Sequence, residues 1–189
     1  LQFGDCDAPI EPGAFLQQTV EFVQENEREV VVLIVDLVTS VNLGQLGDLF
    51  TQTPGLVDLM YIHEGPDYPW PLLSDLVHDD NRIVVFFKSA SSALCGSCPD
   101  GFLSWTDYAA QKTFDLGSAN AAQASSCTQS DAKPNSNFLA INVNEACRKN
   151  GTSDATILLD LHVRACAIAI KMPNFLIADS DSCGRVLEA

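Results

Sequence analysis

Four polar side chains lie where predicted strands end, in the position where parallel α/β folds bind ligands. They are Asp36, Lys88, Asn142 and Asp179, each of which closes an apolar run. In parallel α/β folds, ligands bind outside the carboxyl ends of the strands. Each residue taken singly is compatible with a simple strand cap, but together the four predict a ligand-binding site at the carboxyl ends of the strands.

Apolar runs predict the strands that would position these residues. The predicted strands are residues 29–36, 82–88, 138–142 and 174–179. Continuous apolar runs are typical of parallel strands that are covered on both faces. Helical periodicity between the strands predicts helices over residues 12–27, 43–50, 71–77 and 157–170, the last with Ser153 as a cap. Helices that alternate with apolar strands indicate an α/β protein with a parallel sheet.

Residues 89–137 lack such a pattern. They are rich in Ser, Ala, Gly and Gln, with scattered aromatic residues and three of the cysteines. We therefore predict a long cysteine-containing insertion. Neither an internal repeat nor a linker interrupts the remainder, so residues 1–189 are predicted to form a single domain.

The seven cysteines favour disulfides in an oxidising compartment. A zinc site or a redox CxxC motif is the alternative, but only Cys95 and Cys98 are close in sequence, and His63, His78 and His162 are isolated from one another. No metal site is therefore predicted within this chain. An odd number of cysteines leaves one without a partner in the chain. The cysteine usage predicts a secreted or cell-surface protein.

The charge balance restricts the possible partners. With 10 Lys plus Arg against 25 Asp plus Glu, the net charge is -15. Such a field repels nucleic acid, which is excluded as a partner, although salt screens the repulsion beyond about 8 Å. The longest aliphatic run, residues 30–35, is far shorter than the roughly 20 residues that span a bilayer. We expect at most peripheral membrane contact, with a local cation binding any anionic head group.

Three stretches resemble one superfamily. They are FLQQTVEFVQENEREVVVLIVD (residues 15–36), WPLLSDLVHDDNRIVVFF (residues 70–87) and PNFLIADSDSCG (residues 173–184). They are similar to the phosphatidylinositol-specific phospholipase C X-domain superfamily, the PLC-like phosphodiesterases of the secreted single-domain kind. The resemblance implies an α/β fold of the TIM (β/α)8 type. Such barrels run to about 250 residues, so the first two or three strands are expected upstream of Leu1.

The resemblance also implies roles for particular residues. The reaction uses one histidine as base and a second as acid, with an arginine between them, on phosphatidylinositol or glycosylinositol lipids. The base and the arginine belong to upstream strands, whereas Phe3, in Phe3-Gly-Asp-Cys6, matches the acid histidine of a His-Gly-x-Cys pattern. Asp179 matches the aspartate that orients the base histidine, as in a catalytic triad. Lys88, Asp36 and Asn142 match substrate-binding positions.

Phe3 leaves two alternatives to an active phosphodiesterase. One is a catalytically impaired pseudoenzyme that keeps an inositol-phosphate-binding mouth, and the other is an extracellular binding protein that keeps the scaffold. No cofactor is expected from this chain. Ca²⁺ or Mg²⁺ would bind only if upstream carboxylates supply the ligands.

Overall fold

The structure is a computed structural model that describes residues 11–36, 43–88, 100–115, 121–127, 137–144, 152–171 and 173–178. The chain divides into two compact units, Leu1–Asp107 and Tyr108–Ala189. Each unit is described by itself below. The single domain predicted for residues 1–189 stays a prediction.

The first unit is built on three parallel strands with helices between them. Its elements are α1 (Pro12–Glu25), β1 (Val31–Asp36), α2 (Leu43–Gln52), a 3-10 helix (Val57–Leu59), α3 (Leu73–His78), β2 (Ile83–Lys88), β3 (Phe102–Ser104) and α4 (Trp105–Tyr108), which ends at the unit boundary. The sheet order is β1-β2-β3. Both pairings are parallel, as the apolar runs predicted.

One face of this sheet packs on α1 and α2. Its core contains Leu33 and Val35 of β1 and Ile83 and Val85 of β2, packed with side chains of both helices. Because side chains alternate along a strand, the remaining residues of β1 and β2 lie on the opposite face. β2 is buried on both faces as predicted, whereas β1 is buried on one face only, and Val32 is 38% exposed. That difference fits the position of β1 at the edge of the sheet.

Arg82 joins the end of α1 to the start of β2. Its side chain is buried, and Nη1 donates to the carbonyl oxygens of Val23 at 2.5 Å and Asn26 at 3.0 Å. The last carbonyls of a helix have no partner within the helix and carry partial negative charge. A guanidinium donates hydrogen bonds to them, and its positive charge is attracted to theirs. Nε also pairs with Asp80 at 2.8 Å.

The second unit has a sheet of its own. Its elements are β4 (Ala109–Asp115), α5 (Ala121–Ala124), β5 (Phe138–Asn144), α6 (Thr152–Ala169) and β6 (Phe175–Ala178). The strands are parallel in the order β4-β5-β6. Their apolar residues pack against α6, and a disulfide joins Cys127 to Cys166 of that helix.

Residues 89–137 contain regular elements that the sequence pattern did not predict. Where the structure describes this segment, β3, α4, β4 and α5 lie in it, and the predicted insertion itself stays a prediction. β3 has three residues, and β4 reads AAQKTFD, so neither forms an apolar run. α3 also begins later than predicted: Asp75 accepts a hydrogen bond from the backbone of Leu72, which precedes the helix, and Pro71 lies outside it.

The α/β class with parallel strands is therefore confirmed. In the described part of the chain, these strands form two separate three-stranded sheets. None of the helices described there has the length and apolar character needed to cross a bilayer.

Candidate functional site

Asp36 and Lys88 are neighbours at the carboxyl edge of the first sheet. They are the last residues of β1 and β2, and they are paired in the parallel register. Adjacent strands lie about 4.8 Å apart, and paired residues point to the same face. Asp36 is exposed and Lys88 is half-buried. The structure therefore brings together two of the predicted site residues, on the face opposite α1 and α2.

Trp105 supports the Lys88 side chain from the third strand. Nζ of Lys88 lies 5.6 Å from the centre of the Trp105 ring, a distance suited to a cation–π interaction. Trp105 directly follows β3 and is fully buried, with its ring edge-on to Phe86 at 5.3 Å. Because β3 was not predicted, the role of Trp105 was missed. The signal in the sequence was a lone Trp after a short Phe-Leu-Ser run.

Two hydroxyl groups lie beside Trp105 at the same edge. The Ser104 and Thr106 hydroxyl oxygens are 3.1 Å apart, within hydrogen-bond distance. Ser104 ends β3 and pairs with Phe87, so it lies at the carboxyl edge but belongs to the opposite face of the sheet from Lys88. Hydroxyls donate and accept, and they suit either sugar hydroxyls or phosphate oxygens. The sequence pattern gave no reason to select them.

Trp105, which contacts the Lys88 ammonium, belongs to an aromatic cluster. The cluster consists of Tyr61, His63, Trp70, Phe86 and Trp105. The His63 ring stacks on Trp70 with centroids 4.3 Å apart, and its Nδ1 lies 3.0 Å from the Tyr61 hydroxyl. Trp70 in turn contacts Phe86 at 5.9 Å. Burial, and secondarily the charge of Glu64, raise the pKa of Tyr61. His63 is buried, so it serves the packing of this face.

Asn142 belongs to the second unit. β5 continues to Asn144, so the prediction that the strand ends on Asn142 was wrong. The reason is that β4 pairs with β5 along its full length, up to Asp115 and Asn144. The Asn142 amide donates a hydrogen bond of 3.1 Å to the Gln111 side chain. Its predicted substrate contact stays a prediction.

Phe3 and Asp179 lie outside the residues that the structure describes. Their predicted roles, as the position of the acid histidine and as the orienting aspartate, stay predictions. Asp179 directly follows β6, whose last described residue is Ala178.

A second group of chemistry-bearing side chains lies in the second unit. Cys127, His162 and Cys166 are all buried, and their ligand atoms lie within 4.8 Å of one another. The His162 ring stacks on Phe114 with centroids 4.1 Å apart. Burial is the main cause that lowers the pKa of His162. A hydrogen bond with the backbone of Ala124 raises this pKa, and the charge of Lys112 lowers it. His162 and Cys166 are four residues apart on a predicted helix, and that spacing was the available signal.

These features define a class: an α/β protein whose parallel strands present charged residues at their carboxyl ends. The sequence model of the PI-PLC X family, described as PI-PLC X 1, matches residues 9–150. The chain therefore belongs to this family, and the resemblance drawn from the sequence is confirmed. Asp36, Lys88 and Asn142 lie inside the matched region, whereas Phe3 and Asp179 lie outside it. No curated protein and no solved structure matches the chain.

Proposed function

We propose that this protein is a phosphoric diester hydrolase of the PI-PLC-like superfamily that acts on phosphatidylinositol or glycosylinositol lipids. Membership of the PI-PLC X family supports the superfamily. The register that sets Asp36 beside Lys88 at the carboxyl edge is the observation that carries the substrate class. One cation and one carboxylate on adjacent strands match a ligand that has both a phosphate and hydroxyl groups.

The proposed fold of the whole protein is a TIM-type barrel to which this chain contributes the later strands. All four described strand pairings are parallel, as such a barrel requires. α1 and α2 cover one face of the first sheet, while Asp36 and Lys88 lie on the other. In a barrel, helices form the outer ring and active sites lie at the carboxyl ends of the strands. Upstream strands would complete the site with the base histidine and the arginine.

Lys88 is the proposed phosphate contact. Trp105 fixes the ammonium at the strand end, so less conformational freedom is lost when an anion binds. A net charge of -15 disfavours anions at long range, so binding depends on this local cation. Asp36 would accept hydrogen bonds from inositol hydroxyls, and Asn142 and Asp179 are proposed to contribute from the later strands.

Phe3, which matches the position of the acid histidine, is the reason to consider an alternative function without catalysis. A phenyl ring cannot transfer a proton, and general acid–base catalysis contributes about 10²- to 10⁴-fold. If Phe3 occupies the acid position, the protein is a pseudoenzyme or an extracellular binding protein that still binds inositol phosphates. Ca²⁺ or Mg²⁺ on upstream carboxylates would supply Lewis-acid chemistry in place of the acid.

A lipid substrate requires contact with a bilayer surface. Four apolar side chains are more than half exposed between α2 and β2: Ile62, Tyr68, Leu72 and Leu73. Exposed apolar residues of this kind suit peripheral contact with lipid. The disulfide between Cys127 and Cys166 is compatible with the extracellular location that we propose.

The test measures the binding of inositol phosphate to wild-type protein and to the Lys88→Ala variant. A hydrogen bond to a charged group is worth about 1.5–3 kcal/mol, so Lys88→Ala should weaken binding by about 10- to 100-fold. Lys133→Ala removes the same charge at another position and should change affinity less than about twofold. Equal effects of the two variants would show that the phosphate does not bind at Lys88.

The same proteins should then be mixed with phosphatidylcholine vesicles containing phosphatidylinositol. Release of inositol phosphate supports the hydrolase, whereas binding without release supports the pseudoenzyme. If wild-type protein binds neither soluble inositol phosphate nor these vesicles, the polyol phosphate site itself is refuted.

A further inference from the structure

We propose that Cys127, Cys166 and His162 form a zinc-binding site when the disulfide is reduced. The same buried position would thus hold either an S–S bond or a metal ion. This inference concerns the second unit and is independent of the proposed function.

The distances agree with zinc coordination. Nε2 of His162 lies 3.7 Å from Sγ of Cys166. Zn–S bonds of about 2.3 Å and Zn–N bonds of about 2.0–2.1 Å in a tetrahedron place two such ligands about 3.6 Å apart. His162 and Cys166 are therefore already spaced as ligands of one ion. α6 fixes this spacing, because residues four apart lie on the same helix face.

The third ligand requires one local movement. After reduction, the two sulfurs must separate from bonding distance to about 3.8 Å, the edge of a tetrahedron with two Zn–S bonds. Cys127 follows the short helix α5, whereas Cys166 lies within the long helix α6. A rotation of the Cys127 side chain is therefore the movement that we expect.

The surroundings favour a soft divalent ion. Two thiolates and a neutral imidazole exactly balance the charge of Zn²⁺, which matters because all three residues are less than 9% exposed. Thiolate and imidazole ligands select Zn²⁺ over Ca²⁺ and Mg²⁺, which prefer oxygen. The Phe114 ring, stacked at 4.1 Å, holds the imidazole plane in place. Three protein ligands leave a fourth position for water or another donor.

Reduction of the Cys127–Cys166 disulfide requires a dithiol reductant. The reductant supplies two electrons and two protons, the S–S bond of Cys127 and Cys166 breaks to give two thiols, and the reductant becomes a disulfide. Zinc binding then releases both thiol protons to solvent. A disulfide oxidant reverses this step: the two thiolates lose two electrons and form the S–S bond, the oxidant takes these electrons with two protons from solvent and becomes a dithiol, and the ion is released.

The experiment uses Co²⁺, a spectroscopic substitute for Zn²⁺, on the chain reduced with a phosphine. Wild-type protein and the matched control His78→Ala should show the visible absorption of tetrahedral cobalt with a thiolate charge-transfer band. His162→Ala should bind this ion at least about 100-fold more weakly, because the ion then loses one of its three protein ligands. His78 is exposed and serves only as the control. Equal cobalt spectra and affinities for His162→Ala and His78→Ala would overturn the proposal.

A second measurement assigns the ligands among the seven cysteines and does not depend on any variant. Reduced wild-type protein is alkylated with and without Zn²⁺, and the modified peptides are identified by mass spectrometry. Zn²⁺ should slow the alkylation of Cys127 and Cys166 by at least about tenfold. Protection only of other cysteines, such as Cys95 and Cys98, would refute this site.

Discussion

Burial separates the roles of two ionisable side chains, Lys88 and His162. The Lys88 ammonium lies at a strand end, half-buried on Trp105, where an anion is able to reach it. The His162 ring is 2% exposed, between Phe114 and the sulfur of Cys166. A charge is therefore useful to ligand binding at Lys88, whereas at His162 a charge opposes folding.

The stability of the oxidised protein should depend on the protonation of His162. Burial lowers the pKa of His162 in the folded state below the ordinary value of 6.5. The unfolded chain thus binds the proton more readily. The stability that the neutral ring contributes is complete above pH 6.5 and is lost as the pH falls toward the folded-state pKa. Urea unfolding between about pH 8 and about pH 5 measures this loss.

Replacing the imidazole isolates its contribution. His162→Phe should show a smaller loss of unfolding free energy between these pH values than wild type. His78→Gln, which replaces an exposed histidine, should keep the wild-type dependence. If His162→Phe shows the same loss as wild type, another group is responsible for it.

At the scale of elements, α1 depends on Arg82. Arg82→Ala removes the donors that satisfy the carbonyls of Val23 and Asn26, and it leaves the Val23 oxygen without this donor in a buried region. We expect a loss of about 2–4 kcal/mol in the free energy of unfolding, since hydrogen bonds to charged groups are among the stronger ones. Chemical denaturation of the purified variant gives this value directly.

Arg164 provides the matched control. It pairs with Asp160 at 2.8 Å, but its side chain is 73% exposed on α6. Exposed pairs at this helical spacing contribute about 0.3–0.5 kcal/mol, so Arg164→Ala should be nearly neutral. A similar loss in both variants would mean that burial of the guanidinium is not the cause.

The sequence predicted those elements whose apolar runs are continuous. β1, β2, β5 and β6 were found for this reason, and their ends were placed within a few residues. β4 was missed because Gln111, Lys112 and Thr113 interrupt its apolar residues, and pairing with β5 stabilises it instead. Contacts between distant residues, such as Lys88 with Trp105, follow from the register of the sheet and cannot be read from spacing alone.

At the scale of the molecule, the two units offer separate spectroscopic signals. Both tryptophans of the chain, Trp70 and Trp105, belong to the first unit, and the Cys127–Cys166 disulfide belongs to the second. Tryptophan fluorescence therefore reports on the first unit, while circular dichroism reports on both. This arrangement makes the predicted single domain testable.

The Cys127→Ala/Cys166→Ala double variant is the test. The disulfide closes a loop with a sequence separation of 39, for which chain entropy predicts a contribution of about 4 kcal/mol. If residues 1–189 are a single cooperative domain, both signals should shift to lower temperature together. A fall in the dichroism midpoint with unchanged fluorescence would instead show two domains that unfold independently.

Arg82 also affects the chain during its synthesis. The hydrogen-bond donor of the Val23 carbonyl, Arg82, is synthesised 59 residues after it. The strand partner of β1 belongs to the same later segment, since Val31 pairs with Ile83. At about 5–20 residues per second, this delay lasts about 3–12 seconds. During that interval the apolar face of α1, with Leu16 and Val20, lacks the paired β1 and β2 strands on which it packs. We therefore expect the nascent chain to be a chaperone client until β2 has left the ribosome.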